Sequence, residues 1–535
     1  MESQSSSEEH VVVDIIDKDK SVEENAVKDS TEINDQEKKY AVVKSKDTDV
    51  VLKFMEEHDS EVPEITPDQE RTLRRKVALI IVGFTFLIDL TLYSDKAVLS
   101  YDSILGLFQD TGLTQNTYND ANTLFYVGYL IGQFNLIFVQ KFSIGRVVAI
   151  MTGVWTIVIF LHCTAYNYQG IIALRFFLGF VESIAVPTLN ITMNQFLTPS
   201  EKNSYGPIWY ISSMGVTIPV GFIAYGILYA KSNVPTWKLF TIIIGGCTFL
   251  ITILVFLWYP NNPADAKFLS TNEKVWVIRR VQKSSRASIE QKVIKKYQIV
   301  EAVKDPITWL FFLFFLTQQL ANNLAYQQNL LFEGLGHITN LDSTLVSVAS
   351  GGFASVCSIV ATVFLLYTKD YTAFSVVFWS IPSFASSIAL TTIPWDKRIA
   401  LLAMLCVASP LFGIPWILMF SWNTTSCSGY TKRITRNAIV MIGYSISNII
   451  SPQIWRAKDA PRYIPAWIVQ IVLSFFFAPM LALVVRYILK KRNVRRLTDL
   501  KSNNGLVEID GEAVKVDVAM LDLTDLENKS FIYPL

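Results

Sequence analysis

The chain has 535 residues, of which 51% are hydrophobic and 17% charged, with a mean hydropathy of +0.34. This is too apolar for an ordinary soluble domain, and the formal net charge of +1 conceals a strong segregation of charge along the sequence.

Residues 1–70 carry 21 acidic against 8 basic side chains and few aromatics. Such a segment cannot bury enough apolar surface to offset the entropy of ordering, so a disordered, acidic cytoplasmic tail is expected, serving as a platform for ubiquitin-ligase and endocytic machinery. It has neither the basic start nor the short apolar core of a signal peptide, which makes the first apolar span an uncleaved signal anchor.

Twelve stretches of predominantly apolar residues follow, each close to the roughly 20 residues a helix needs to cross the hydrocarbon core. The predicted spans are 76–101, 118–139, 146–165, 169–193, 205–230 and 238–259, then 307–331, 343–367, 371–392, 398–420, 433–453 and 464–488. Repeated crossings oblige every backbone polar group to be satisfied within helices. The fold class is therefore an all-α membrane protein, with six-helix bundles at 71–259 and 307–489, a linker at 260–306 and a C-terminal tail at 490–535. Pro187, Pro219, Pro382, Pro410, Pro415 and the Gly351-Gly352 pair fall inside spans, where bundle neighbours can re-satisfy freed backbone groups.

Basic residues set the orientation. Arg71, Arg74, Arg75 and Lys76 precede the first span, and Lys141, Arg146 and Lys202 lie in alternate loops. The linker holds ten basic residues, Lys432, Arg433 and Arg436 open the eleventh span, and Lys490, Lys491, Arg492, Arg495 and Arg496 follow the last. Twelve crossings put all of these on the cytoplasmic side with both termini. Only the loop with Arg456, Lys458 and Arg462 breaks the pattern. The sequons at Asn423 and Asn528 fall on that same side and are expected to be unused. In the linker, Ser270-Thr-Asn-Glu273 is a capping box before an amphipathic stretch, Val275 to Val281, and a second short helix is expected near Val300–Val303. Helices tying the two halves together and a solvated basic linker both fit.

Ionisable groups at membrane depth are costly, and few are present. The first span carries Asp89 and the adjacent pair Asp95-Lys96. The fourth carries Arg175 and Glu182, seven residues apart and hence on one face, about 10 Å apart along the axis. A carboxylate there can take up or release a proton as the cavity changes sides, and a cation beside it can receive an anionic substrate. An interhelical ion pair with a packing role is the competing reading. The seventh span places seven amides within twelve residues: Gln318, Gln319, Asn322, Asn323, Gln327, Gln328 and Asn329. These can read a substrate or join helices, and Gln319, Asn323 and Gln327 are taken as substrate-facing. His162 and tryptophans including Trp155, Trp209, Trp237, Trp258 and Trp309 read as interfacial residues at span ends. The five cysteines (Cys163, Cys247, Cys357, Cys406, Cys427) have no metal-like spacing and read as small packing residues. No phosphate-binding glycine loop, metal cluster or nucleophile–base pair is visible, so neither an enzyme nor a cofactor is expected.

Several segments together carry a family resemblance. They are Tyr93-Ser-Asp95-Lys96-Ala-Val-Leu-Ser100-Tyr-Asp-Ser-Ile-Leu-Gly106, Tyr118-Asn119, Phe125-Tyr126-Val-Gly128-Tyr129, Arg175-Phe-Phe-Leu-Gly179-Phe-Val-Glu182 with Pro187, Ala266-Lys-Phe-Leu, Trp422-Asn423, Gly429-Tyr-Thr431-Lys432-Arg433, and Gly443-Tyr-Ser-Ile-Ser-Asn448 with Pro452-Gln453. In order and spacing the chain resembles fungal allantoate permease-like transporters, of the anion:cation symporter family of the major facilitator superfamily. The resemblance implies two pseudo-symmetric six-helix bundles, alternating access and a substrate held between the halves. It implies Asp95 and Glu182 as proton-coupling residues, Lys96 as the cation meeting the substrate, Arg175 as steering that anion or tuning Glu182, and Tyr126 and Asn448 as further binding residues. The chain departs from the family at Lys96, where Arg is frequent, at Gln133, where an acid is common, and at Tyr430 and Ser447. Lysine is a point charge without the planar fork of arginine.

The expected function is proton-coupled import of a small organic anion or zwitterion across the plasma membrane by a monomer in the lipid bilayer, without nucleic acid. Allantoate or ureidosuccinate, small peptides, cysteine, sulfonates and carboxylate vitamins are the cargo classes. A non-transporting nutrient sensor with the same bundle is the alternative.

Overall fold

The computed structural model describes residues 50–135, 138–139, 142–198, 201–202, 205, 208, 211–213, 215–285, 295–336, 339–368, 370–502, 507–509, 512–514, 523–529 and 531–535. The tail over 1–49, Lys141, Trp209 and Ser530 of the second sequon lie outside the described residues.

Twelve long helical elements run back and forth: α1 Pro67–Ile104, α2 Gln115–Gly132, α3 Ile144–His162, α4 Tyr168–Phe196, α5 Ile211–Ile227, α6 Thr236–Trp258, α7 306–334, α8 Asn340–Tyr367, α9 Thr372–Thr392, α10 Arg398–Thr425, α11 Tyr430–Ile454 and α12 Ile464–Thr498. Among the described residues the only strands form a three-residue hairpin beyond α12, Val507–Ile509 with Glu512–Val514. Each predicted span coincides with one of these elements, with ends that differ by several residues. α12 runs on well past 488, to Thr498, and α1 starts early, at Pro67, because Thr66 and Gln69 form a capping box and proline occupies the first turn. Eight of the helices are apolar enough to cross a bilayer on length and composition alone. α2, α7 and α11 fall short because their polar residues turn inward, and α5 is described only in part.

Several helices are interrupted where the sequence permits it. α4 breaks before Ala185, α10 before Gly413, and α7 tightens to a 3₁₀ turn over Gln319–Ala321. Pro187 and Pro415 sit in the first turn of the resumed segments, where a missing N–H leaves no helical bond unmade. α2 and α4 cross almost in contact. A Cβ on Gly128 would lie 2.0 Å from the Phe176 carbonyl oxygen, and one on Gly179 would lie 1.9 Å from that of Phe125. Small residues at such a crossing let backbones approach within a membrane.

The linker supplies a short helix to each half. Ser270 and Glu273 cap the helix Thr271–Ser285, which grips the N-terminal bundle through Lys76–Glu273 (2.8 Å) and Arg280–Glu201 (2.8 Å). Burial works against the Glu273 carboxylate, but Lys76 and Ser270 hold it below the usual range. The second helix, Lys296–Lys304, grips the C-terminal bundle through Glu301–Lys432 (2.8 Å) and a bond from the Lys432 backbone to Gln298 (3.1 Å). Both lie on one side of the molecule, the linker face.

Residues 523–529 and 531–535 fold back onto this face as a strap. Asp525 is buried and meets Lys432 at 2.7 Å, while Tyr533 accepts the guanidinium groups of Arg492 and Arg496 on its ring. Asn493 exchanges two backbone bonds with Tyr533, Trp422 donates to the Pro534 carbonyl, and the Thr372 N–H donates to Leu535. Gly429, at φ +88°, passes close beneath Thr524.

Candidate functional site

Helix α1 presents two different faces to two cavities. Tyr93, Lys96, Ala97, Ser100 and Tyr101 recur at helical spacing and line a central cavity between the bundles, about 130 Å³ in volume. Asp95, Val98, Leu99 and Asp102 lie on the other side and line a second cavity of about 20 Å³ within the N-terminal bundle. Lys96 and Asp95, neighbours in sequence, thus open into separate compartments.

The central cavity is completed by α5, α7, α8, α10 and α11. Lys96 is its one charged lining residue among the described residues. Its ammonium stands 4.9 Å from the centre of the Tyr93 ring, and among the described residues no carboxylate lies within 4 Å of it. Around it stand amides and hydroxyls already fixed in place. Ser409 donates to Gln328 at 2.8 Å, Ser347 donates to Asn329 at 2.7 Å, and Asn322 donates to both Asn448 (2.6 Å) and Tyr126 (2.8 Å). Trp416, Tyr444 and Phe412 supply apolar and aromatic wall. A fixed cation amid amides and ring faces suits a small molecule with one carboxylate.

The second cavity joins Asp95, Asp102, His162 and Arg175. Trp155 donates its indole N–H to Asp95, and Thr241 donates to Asp102 at 3.4 Å. Trp155 differs from the sequence expectation, being fully buried within α3 and not at its end, whereas His162 ends α3 as expected but is turned inward, 7% exposed. A carboxylate on α1 draws the indole inward because its N–H needs a partner when buried. Glu182 lines neither cavity; it is fully buried, and among the described residues neither of its oxygens has a hydrogen-bond partner. Asp95, Lys96 and Arg175 are the charges that act on it. The four ionisable residues thus form one electrostatic group, but they do not share one pocket, and no ion pair within 4 Å joins them among the described residues.

Of the other predicted binding residues, Gln319 lines the central cavity. Tyr126 and Asn448 stand one layer behind Asn322. Asn323 is buried outside the lining, and Gln327 is engaged elsewhere: it donates to Asn119 (2.9 Å) and accepts from Gln115 (2.9 Å). These last bonds belong to a seal between the bundles on the face opposite the linker. Ser100 and Tyr118 donate to the Tyr326 carbonyl at 3.1 and 2.9 Å, Asn119 donates to that of Trp455 at 2.7 Å, and Asn340 to that of Ile104 at 2.8 Å. Sequence reasoning missed Ser347, Ser409, Trp416 and Tyr444. Isolated serines and aromatics in apolar spans carry no signal until the helices are docked.

The family model described as Major Facilitator Superfamily matches residues 79–452. The chain belongs to the major facilitator superfamily. It is 54% identical over 512 residues to the high affinity cysteine transporter of Saccharomyces cerevisiae, covering 92% of this chain and 96% of that protein. It is 28% identical to the allantoate permease of the same yeast, covering 91% and 90%. The xylose transporter XylE from E. coli, in a partially occluded inward open conformation, superposes with a TM-score of 0.55 at 13% identity, covering 77% of this chain and 96% of that one, and shares the fold. As a superfamily member the chain is a multi-pass membrane transporter of small molecules and not an enzyme.

Proposed function

We propose that this transporter imports cysteine, or a zwitterion of similar size, across the plasma membrane by proton symport, with the linker face in the cytoplasm. The carrying observation is Lys96, whose ammonium has no carboxylate within 4 Å among the described residues, with Glu182 and Asp89 acting on it from further away, in a cavity of about 130 Å³. That volume is well below the roughly 300–1,000 Å³ of sites for drug-sized ligands. A substrate carboxylate pairs with Lys96, and its ammonium meets amide oxygens of α7 and the faces of Tyr93, Tyr444 or Trp416. The 54% identity to a cysteine transporter supports this cargo over the allantoate class.

Coupling follows from Coulomb's law. Ionised Glu182 competes with the substrate for Lys96. A proton on Glu182 or Asp95 removes a negative charge from that neighbourhood and strengthens Lys96 toward the incoming carboxylate. Release of the proton on the other side reverses the preference, so substrate and proton leave together.

The test is uptake of labelled cysteine by yeast lacking its own cysteine uptake. Saturable uptake that rises with external acidity and collapses with a protonophore is expected, with cysteine outcompeting allantoate. Uptake indifferent to the protonophore would refute symport, and no cysteine uptake at all would refute the cargo.

A further inference from the structure

The second cavity lies toward the face opposite the linker. α1 and α3 start at the linker face, so Asp102 and His162 stand near their far ends, whereas α4 and α6 start at the far face with Arg175 and Thr241 in their first halves. Glu182 lies seven residues further along α4, about 10 Å nearer the linker face. From the far face inward the order is His162 and Asp102, then Arg175 and Asp95, then Glu182.

The chemistry of the outer pair is specific. His162 Nδ1 lies 2.9 Å from the Val158 carbonyl, which can only accept, so Nδ1 carries a proton and Nε2 offers its lone pair. Among the described residues, His162 Nε2, Asp102 Oδ1 and Arg175 Nε have no hydrogen-bond partner, and each residue lines this cavity. A cavity of about 20 Å³ has room for one water-sized guest. The titratable and charged groups facing Asp102 are Asp95 on its own helix, Tyr118 on α2, His162 and Cys163 at the end of α3, and Arg175 on α4. α6 contributes the neutral Thr241 and Trp237, with Lys238 beyond Cys163. An acceptor nitrogen, a carboxylate oxygen and a permanent cation converging on one small chamber otherwise walled by Val98, Leu99, Ile159 and Leu178 are more than packing requires.

We propose that this chamber is the proton-entry site from the face opposite the linker, with Asp102 and His162 receiving the proton that reaches Glu182 through Asp95. The inference rests on the symport reading above. Each transfer moves one proton: hydronium outside gives it up, an imidazolium N–H or carboxyl O–H holds it, and no other bond changes. Arg175 keeps its own proton and stabilises the emptied carboxylates. Substrate and proton thereby travel on opposite sides of α1.

The experiment measures wild-type protein, Asp102→Asn, Asp102→Glu and His162→Gln in yeast lacking cysteine uptake. Initial labelled-cysteine uptake is read across external pH, alongside counterflow from preloaded, de-energised cells, which needs no net proton movement. In Asp102→Asn and His162→Gln the acid stimulation of uptake should fall about fivefold or more while counterflow stays within about twofold, and Asp102→Glu should restore the profile. If the wild type is acid-stimulated and both variants keep its profile, the entry site is wrong and symport stands. If the wild type shows no acid stimulation, the symport reading itself fails. Loss of counterflow together with uptake would assign these residues to packing and overturn the proposal.

Discussion

In the proposed mechanism substrate recognition turns on Lys96. A hydrogen bond to a charged group contributes about 1.5–3 kcal/mol, so Lys96→Ala should raise the KM for cysteine about ten- to hundredfold. Kinetics of initial uptake check this, and an unchanged KM would make Lys96 structural. Glu182→Gln fixes the charge near Lys96 in its neutral form. Concentrative uptake should then vanish while counterflow persists, and undiminished accumulation would remove Glu182 from coupling. The costly residues Asp95, Lys96, Arg175 and Glu182 were legible in the sequence because charge in an apolar span is conspicuous. Their separation was not: Lys96 opens into one cavity, Asp95 and Arg175 into the other and Glu182 into neither, because adjacent residues on a helix diverge only once the neighbours are in place. Asp102 read as part of a motif and His162 as an interfacial residue, for the same reason. The amides of α7 were conspicuous as a group, yet Gln319, Asn322, Gln328 and Asn329 line the cavity while Gln327 bonds to α2, a distinction set by which face of the helix each occupies.

Among the helices, the crossing of α2 over α4 is the least forgiving contact. A methyl group at Gly179 has nowhere to go 1.9 Å from a backbone oxygen. Overpacking of this kind costs about 1–3 kcal/mol, so Gly179→Ala should lower the thermal midpoint in detergent by several degrees. Tryptophan fluorescence on heating would register it. Hydropathy located all twelve helices because crossing a bilayer demands length and apolarity together. It understated α2, α7 and α11, whose polar residues pay no lipid contact because they face the seal and the cavity. The strap over 523–529 and 531–535 was not legible at all: residues without periodicity gain their place from Lys432, Arg492, Asn493, Arg496 and Trp422 waiting on other elements. Next to this strap, burial works against the charge on Asp305, but the Arg492 bond and the charges of Lys432 and Arg436 hold its carboxyl below the ordinary value. A depressed carboxylate stabilises the fold above its unfolded value of about 4 and loses that contribution as pH falls through the folded value. Asp305→Asn should therefore lower the thermal midpoint at pH 7, and the gap to the wild type should close as the buffer is acidified below about pH 4.

At the level of the whole molecule, hydrogen bonds among Ser100, Tyr118, Asn119, Tyr326 and Gln327 hold the bundles together on the face opposite the linker. Alternating access requires them to break in every cycle. Bonds of this type within membranes contribute about 0.6–2 kcal/mol each, so Gln327→Ala should shift the balance of the two states about three- to thirtyfold toward the one open on that face. Labelling of a cysteine introduced at Ser100 from outside the cell would report the shift as faster modification, and an unaltered rate would mean that the seal is carried elsewhere. The two-cavity arrangement also has a mechanical consequence. Successive residues of a helix point about 100° apart, so any rotation of α1 would turn its two cavity-lining sides at once. Deleting one residue just upstream of Tyr93 would index the whole helix by a single step, carrying the ammonium away from the nutrient and a carboxylate part of the way toward it. Such a frame-shifted helix should lose both substrate capture and proton response in one stroke, a double loss that no single side-chain replacement at either position would reproduce.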